Sequence, residues 1–394
     1  MTMNRKTPSR SALILMACAI GTAAALVSCG GGGGSSSGTD GGSTPAVSAQ
    51  LKQEALDGSV AGVIQPGYAT AQSALASLHG ATTEFCADRT GARFATMQTG
   101  WHTGMAAWQG VNAITSGPAA QDGLAVRIEA WPSAFAEATA ARMDQLLAGT
   151  SALDEAAIAG QPVQAQGLQA LEYLLFQGRS AADFPANSTG DRRCALLTAV
   201  AANLATMSGT LNTAWQQQAA APALTGSSTA TSAEAYNLLG NLLLGQLVRL
   251  KDSALGPALG LDTSGEAVNP NAAAAEAIRS DTSLAQIVSQ LQAAIRLFDG
   301  ASATSGNAGF ARVLEQTGKT ALRSGFRTRA DDALAQAQAL LTAGKELSSA
   351  NADTATTAQF SALFNAVRTL ETYTQNEVLP ALEITVTFNF NDGD

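Results

Sequence analysis

Residues 193–215, RCALLTAVAANLATMSGTLNTAW, decide the fold. After Leu196, the residues Leu197, Val200, Leu204, Met207, Leu211 and Trp215 recur at intervals of three and four. That spacing makes one stripe of a helix, not the alternate faces of a strand. Upstream, Phe94, Met97, Trp101, Met105, Trp108 and Val111 keep the same spacing, as do Leu168, Leu171, Leu174 and Leu175. Downstream it returns at Leu239, Leu242, Leu243, Leu247 and Leu250. Further helices are predicted over 278–298, 322–341 and 360–379, with Asp281 and Thr282 placed to interrupt the first. Pro66 and Pro132 are expected to kink or break the helices around them, since proline lacks the amide donor and its ring strikes the preceding turn. At 382–390 the pattern changes to alternation, with Ile384, Val386, Phe388 and Phe390 separated by polar residues. A lone strand cannot satisfy its own edges, so this tail must pair with an extended segment or lie along helices.

Composition agrees with a helical chain. Of 394 residues, 46% are hydrophobic, 13% charged and 5% aromatic, which allows a large core but disfavours a β-sandwich built on aromatic and branched side chains. A net charge of −9 leaves no basic footprint for nucleic acid. The length suits two domains. The polar stretch from Ala220 to Thr231 is the predicted boundary, between an N-terminal bundle at 46–222 and a C-terminal bundle at 223–394. The expected class is therefore all-α, two packed helical bundles with a short extended C-terminal tail.

The N-terminus reads as an export signal. Arg5, Lys6 and Arg10 precede an uncharged apolar run from Ala12 to Val27, and Leu26-Val27-Ser28-Cys29 has the form of a lipobox. The run is shorter than the ~20 residues a membrane span needs. Residues 1–28 are thus expected to be removed and Cys29 to take the lipid. Residues 29–45 form a Gly/Ser tether that cannot bury apolar surface. Gly30 after the lipid cysteine favours the outer membrane of a Gram-negative cell, with the body facing the periplasm. With Cys18 removed and Cys29 acylated, Cys86 and Cys194 remain in an oxidising compartment. Two buried thiols are one reading, and a bridge between distant helices is the other, favoured because it closes a long loop.

The segments Trp108-Gln109-Gly110-Val111, Ser116-Gly117-Pro118 and Arg127-Ile128-Glu129-Ala130-Trp131-Pro132 resemble the W…GP…R…WP signature of the imelysin family. Gly167-Leu168-Gln169-Ala170-Leu171-Glu172 resembles its GxHxxE motif. Arg249-Leu250-Lys251-Asp252, Leu255-Gly256-Pro257, Ser280 to Leu284, Leu297 to Gly300 and the terminus ending Asp392-Gly393-Asp394 are similar to its second half. The resemblance implies a two-domain helical envelope protein associated with iron-regulated uptake, in a family first described as peptidases. It also implies a functional site around GxHxxE, whose His and Glu would form a metal-binding pair.

Here the histidine position is Gln169, a poor zinc ligand that cannot serve as a general base. The chain has two histidines, His79 and His102, and neither an HExxH nor a GxSxG motif. Hydrolysis lacks support, although a carboxylate pair such as Glu129 with Glu172 stays open. Gln169 and Glu172, three residues apart, share a helical face. If Glu172 is buried it needs a partner, for which Arg127 is the candidate, either as a structural ion pair or as part of a binding site. Arg127, Glu129 and Trp131 carry the same two readings, while Trp108 and Trp131 are expected to fill core. Two functions follow. One is a non-catalytic lipoprotein binding a metal ion, metal complex or partner of an iron-uptake system, with Glu172 as metal ligand and Glu129 and Asp183 as further oxygens for iron or another divalent metal. The other is a metal-dependent peptidase. Its partners would be outer-membrane lipid through Cys29 and other envelope proteins.

Overall fold

The computed structural model describes residues 46–131, 136–176, 178–301 and 308–387. The signal peptide, Cys29 and its tether, Pro132 and the tail beyond Thr387 lie outside them. The described chain is helical. Its helices are α1 Ala49–Ser59, α2 Gln65–Ala87, α3 Gly91–Gln109, α4 Leu124–Ile128, α5 Ala136–Ala148, α6 Glu155–Ala159, α7 Gly167–Leu175 and α8 Ser188–Gln216. They continue with α9 Ala220–Thr225, α10 Ser232–Arg249, α11 Gly256–Leu259, α12 Ser283–Asp299, α13 Phe310–Gln316, α14 Thr320–Thr342, α15 Thr354–Tyr373 and α16 Leu379–Ala381. Among the described residues β pairing is limited to one isolated bridge, Leu261 with Ala267.

The opening stripe is the buried face of α8, where Leu196, Leu197, Val200, Leu204, Leu211 and Trp215 are buried. Asn187 starts this helix by accepting from the amides of Thr189 and Gly190, which satisfies two of the donors a helix leaves open. By length and composition α8 alone among the described helices suits a membrane span, but most of it is buried against α2 and α7, as a core helix is. Cys86 at the end of α2 and Cys194 in α8 are joined as a disulfide, with Cα atoms 5.6 Å apart.

The described residues form one compact unit. Its core runs across the polar stretch at 220–231: α1 packs on α10 and α13, and α12 packs on α3 as well as on α14. The first half of that stretch is helix α9, with Ala221, Ala223 and Leu224 buried.

At Pro66 the α-helix is interrupted without ending, and Pro132 lies outside the described residues. The helical path runs on from α1 into α2 through a π turn at Val60–Ile64, and Pro66 does not end it. The amide of Gln65, just before Pro66, bonds to the carbonyl of Val60, five residues back. The same arrangement recurs twice. Gly256 before Pro257 bonds to Lys251, and Leu379 before Pro380 bonds to Thr374. A proline ring clashes with the carbonyl four residues earlier. Widening the preceding turn shifts that carbonyl, so each π turn absorbs a proline that an α-helix would reject.

As far as Thr387 the tail takes the second of its two predicted courses and lies along a helix. Thr385 N–H donates to Asn237 Oδ1 at 2.8 Å and Thr387 N–H to Asn241 Oδ1 at 2.9 Å, while Asn241 Nδ2 donates to the Thr385 carbonyl at 3.0 Å. Four helical residues rise about 6.0 Å and two extended residues about 6.6 Å. Asparagines four apart on α10 therefore match an extended segment's repeat and replace a neighbouring strand. Gly240 between them leaves room for Ile384, whose Cδ1 would lie 2.5 Å from a Cβ there.

Helix α12 begins at Ser283, so Asp281 and Thr282 do interrupt the predicted helix. Its N-terminus is capped from elsewhere: Leu284 N–H donates to Glu346 Oε2 at 3.0 Å. Burial, together with the charge of Asp281, pushes the Glu346 carboxyl up from 4.5 to about 7. The folded state thus holds this proton over a range where the unfolded chain releases it. The associated stability is fully present below about pH 4.5 and is lost as the pH rises through about 7. Thermal melts across that window should show the decline in the native protein and a flatter profile in Glu346→Gln. Identical slopes in the two proteins would refute the assignment.

Candidate functional site

The site is assembled where an extended segment crosses the start of α7. Helix α4 stops at Ile128, and Glu129 takes extended dihedrals, so Glu129, Ala130 and Trp131 run as a strip. Gly167 opens α7 with φ of +72°, and a Cβ there would stand 2.2 Å from the Ile128 carbonyl oxygen and 2.4 Å from that of Arg127. Glycine is required twice over, by the left-handed backbone and by this contact. Gly167→Ala should therefore destabilise the protein by about 2 kcal/mol or more, measured by urea unfolding. Trp101 Nε1 donates to the Leu168 carbonyl at 2.9 Å and fixes the same turn.

Gln169 and Glu172 share a face and line one small, partly open cavity of about 40 Å³ with Glu129, Trp131, Thr139, Glu276, Ile278 and Arg279. Both ends of the Gln169 amide are engaged by backbone. Its Oε1 accepts from Ala130 N–H at 3.3 Å and its Nε2 donates to the Val163 carbonyl at 2.9 Å, stitching the strip to the loop before α7. Glu172 is 4% exposed. One of its oxygens accepts from both the amide and the hydroxyl of Ser280, each at 2.9 Å. Burial pushes its carboxyl up, opposed by the Ser280 bonds and the charge of Arg279.

Arg127 is not its partner. The Arg127 guanidinium bonds Gln166 Oε1 at 3.1 Å and reaches the Ala159 carbonyl, away from the cavity. The close contact of Gly167 with the Arg127 backbone fixes α4 beside the start of α7, and the side chain lies along the 159–166 loop. Asp183 is also elsewhere, capping a short turn through Ser180 and facing Arg179 at 3.7 Å. The oxygen set Glu172, Glu129 and Asp183 is thus not brought together. Glu276 takes the third place.

Glu129 and Glu276 form the centre of a buried amide network. Gln109 Nε2 lies 3.0 Å from Glu129 Oε1 and 2.8 Å from Glu276 Oε1. Trp108 Nε1 donates to Glu129 at 2.8 Å, and Gln290 Nε2 donates to Glu276 at 3.0 Å and to Gln109 Oε1 at 2.7 Å. Asn112 also donates to Gln109 Oε1. Burial first and the charge of Glu276 second push the Glu129 carboxyl well above the usual carboxylate range, opposed by Arg249 and the Trp108 bond. Arg249 stands 3.8 Å from Glu276 and lies over the Trp131 ring at 4.9 Å, while Trp108 fills core. Trp131 packs against the core and also walls the cavity, and its Nε1, like Thr139 Oγ1, is buried without a protein partner.

The histidines stand apart from the cavity lining. His102 is half-buried against Trp101 and Phe176, and burial lowers its pKa. Among the described residues no group of three or more His, Cys, Asp or Glu is placed to hold a metal ion. A metal implied by GxHxxE does not fit these residues: the amide replacing histidine is bound to backbone, and the carboxyls are engaged by amide, indole and hydroxyl donors. Of the residues that build the site, Gln109, Arg249 and Ser280 lay within quoted motifs without an assigned role. Glu276, Arg279 and Gln290 gave no sequence signal at all.

The family profile described as Imelysin matches residues 64–372. The fold is similar to a solved imelysin-like protein from Psychrobacter arcticum 273-4, at 20% identity and TM-score 0.70 over 87% of this chain and 100% of that one. It is also similar to a putative iron-regulated protein A precursor from Parabacteroides distasonis ATCC 8503, at 17% identity and TM-score 0.61 over 86% and 97%. No curated protein matches.

Proposed function

Because the chain belongs to the imelysin family, we propose that it is a non-catalytic binding protein of the cell envelope, serving an iron-related uptake system. The observation that carries this reading is the engagement of Gln169 by the Ala130 amide and the Val163 carbonyl, which leaves Glu172 without a second base or metal ligand from the motif beside it. The similarity to an iron-regulated protein A precursor supports the iron context. The lipobox ending at Cys29 supports anchoring in the outer membrane of a Gram-negative cell, with the acidic body in the periplasm. An iron chelate or a protein partner suits the site better than a bare ion, because Glu172, Glu129 and Glu276 already have protein donors.

Titration calorimetry with ferric citrate, and separately with zinc chloride, tests this reading. Heat is expected with the chelate, lost in Glu172→Gln, and none with zinc. Zinc-dependent cleavage of a protein substrate, abolished by a chelator, would restore the peptidase reading. Gln169→His is expected to gain no stoichiometric zinc, since the position is turned to backbone. A gain would show that a metal geometry survives with only its ligand lost.

A further inference from the structure

The cavity has room for roughly three waters. Any organic ligand therefore needs one wall to move. Most walls belong to helices or to the strip stitched by Gln169. The stretch Ile278-Arg279-Ser280 is different: it is irregular and partly exposed, and Ile278 and Arg279 line the cavity. It is bracketed by Ala277 and Asp281, both at φ of +53°. Side-chain-bearing residues avoid this left-handed region because Cβ crowds the following carbonyl. Among the described residues only four non-glycine positions have positive φ, and two of them flank these three residues. Such strain gathers where a segment must change conformation.

The segment is held chiefly at Glu172, by the amides of Arg279 and Ser280 and the Ser280 hydroxyl, with the Arg279 guanidinium over the Tyr173 ring at 5.7 Å. Ser280 N–H donates to Glu172 at 2.9 Å and its hydroxyl lies at the same distance. Thr282 N–H closes the base onto the Ala277 carbonyl at 3.3 Å, and Ser348 Oγ donates to Asp281 at 2.7 Å. The neighbouring elements on either side are fixed, Glu276 by Gln109 and Gln290, and α12 by the Glu346 cap.

We propose that Ile278–Ser280 is a strap that lifts about Ala277 and Asp281 to admit ligand, with the Ser280–Glu172 bond as its latch. The strap rests on this cavity being the binding site, and it makes Glu172 both the latch partner and the group uncovered on opening. When the strap lifts, Glu172 loses Ser280 and faces the incoming ligand. Closed, the strap returns Arg279 to the carboxylate.

Amide hydrogen exchange on the purified protein, without ligand, tests it in both directions. In Ser280→Ala the Thr282 amide and its neighbours in 278–282 should exchange about tenfold faster or more, because a bond to a buried carboxylate is lost. In Ala277→Gly they should exchange a few-fold slower, because glycine relieves the strain of the closed form. Amides of α7 and α12 should keep their native rates in both variants. Unchanged exchange in 278–282, or a rise shared equally by α7 and α12, would overturn the strap. Since no ligand enters this measurement, a failed chelate titration beside the expected exchange pattern would remove the ligand reading and leave the strap in place.

Discussion

Gln109→Leu should lower stability by about 3–5 kcal/mol, the loss typical when a buried charged group is stripped of its partner. Gln109 is fully buried and, among the described residues, is the one side chain that donates to both Glu129 and Glu276 while accepting from Gln290 and Asn112. Leucine of similar size fills the space but leaves two carboxyls and two amides short of partners. Glu129→Gln provides the contrast. It removes the charge that burial and Glu276 disfavour, keeps an acceptor for Trp108, and should cost within about 1 kcal/mol. Urea unfolding of both variants decides the matter. Equal, large losses would mean that the charge of Glu129, and not only its hydrogen bonds, holds the network together.

Reduction of the Cys86–Cys194 bridge, or its removal as Cys86→Ala with Cys194→Ala, should cost a comparable 3–5 kcal/mol. The bridge closes a loop of 108 residues between α2 and α8, the pair of helices at the centre of the N-terminal part. On the chain-entropy account a loop of ~100 residues contributes about 4.7 kcal/mol by restricting the unfolded chain. Because the effect acts on the unfolded state, unfolding under reducing conditions should shift the midpoint while the native circular dichroism stays unchanged. A midpoint insensitive to reductant would show that the bridge contributes nothing to stability.

The two expectations differ in how far the sequence could carry them. On the expectation that Cys18 is removed and Cys29 acylated, Cys86 and Cys194 are the two cysteines left to pair. The Glu129–Glu276 pair had no such signal. Gln109 and Glu276 are 167 residues apart, and a carboxylate in an irregular segment looks like any solvated surface acid until the fold buries it. Gln169 shows a related limit. Its helical face was legible from the spacing to Glu172, but the backbone groups that claim its amide, Ala130 N–H and Val163 O, come from two separate loops. Arg127 was matched to Glu172 on charge alone, and Ser280 with Arg279 took that place because the segment before α12 is brought over α7.

Local, periodic information was read directly. Apolar residues at intervals of three and four fix a helix and its buried stripe within a few turns, so the all-helical class, the long core helix Ser188–Gln216 and the interruption at Asp281 followed from the sequence alone. Pro66, Pro257 and Pro380 mark where that reading stopped, because a π turn is a backbone adjustment with no residue signature of its own. The site itself was decided only by tertiary structure. Its ionisation and its partners depend on which groups share a dry interior across long chain separations, and desolvation acts on spatial neighbours, not on sequence neighbours.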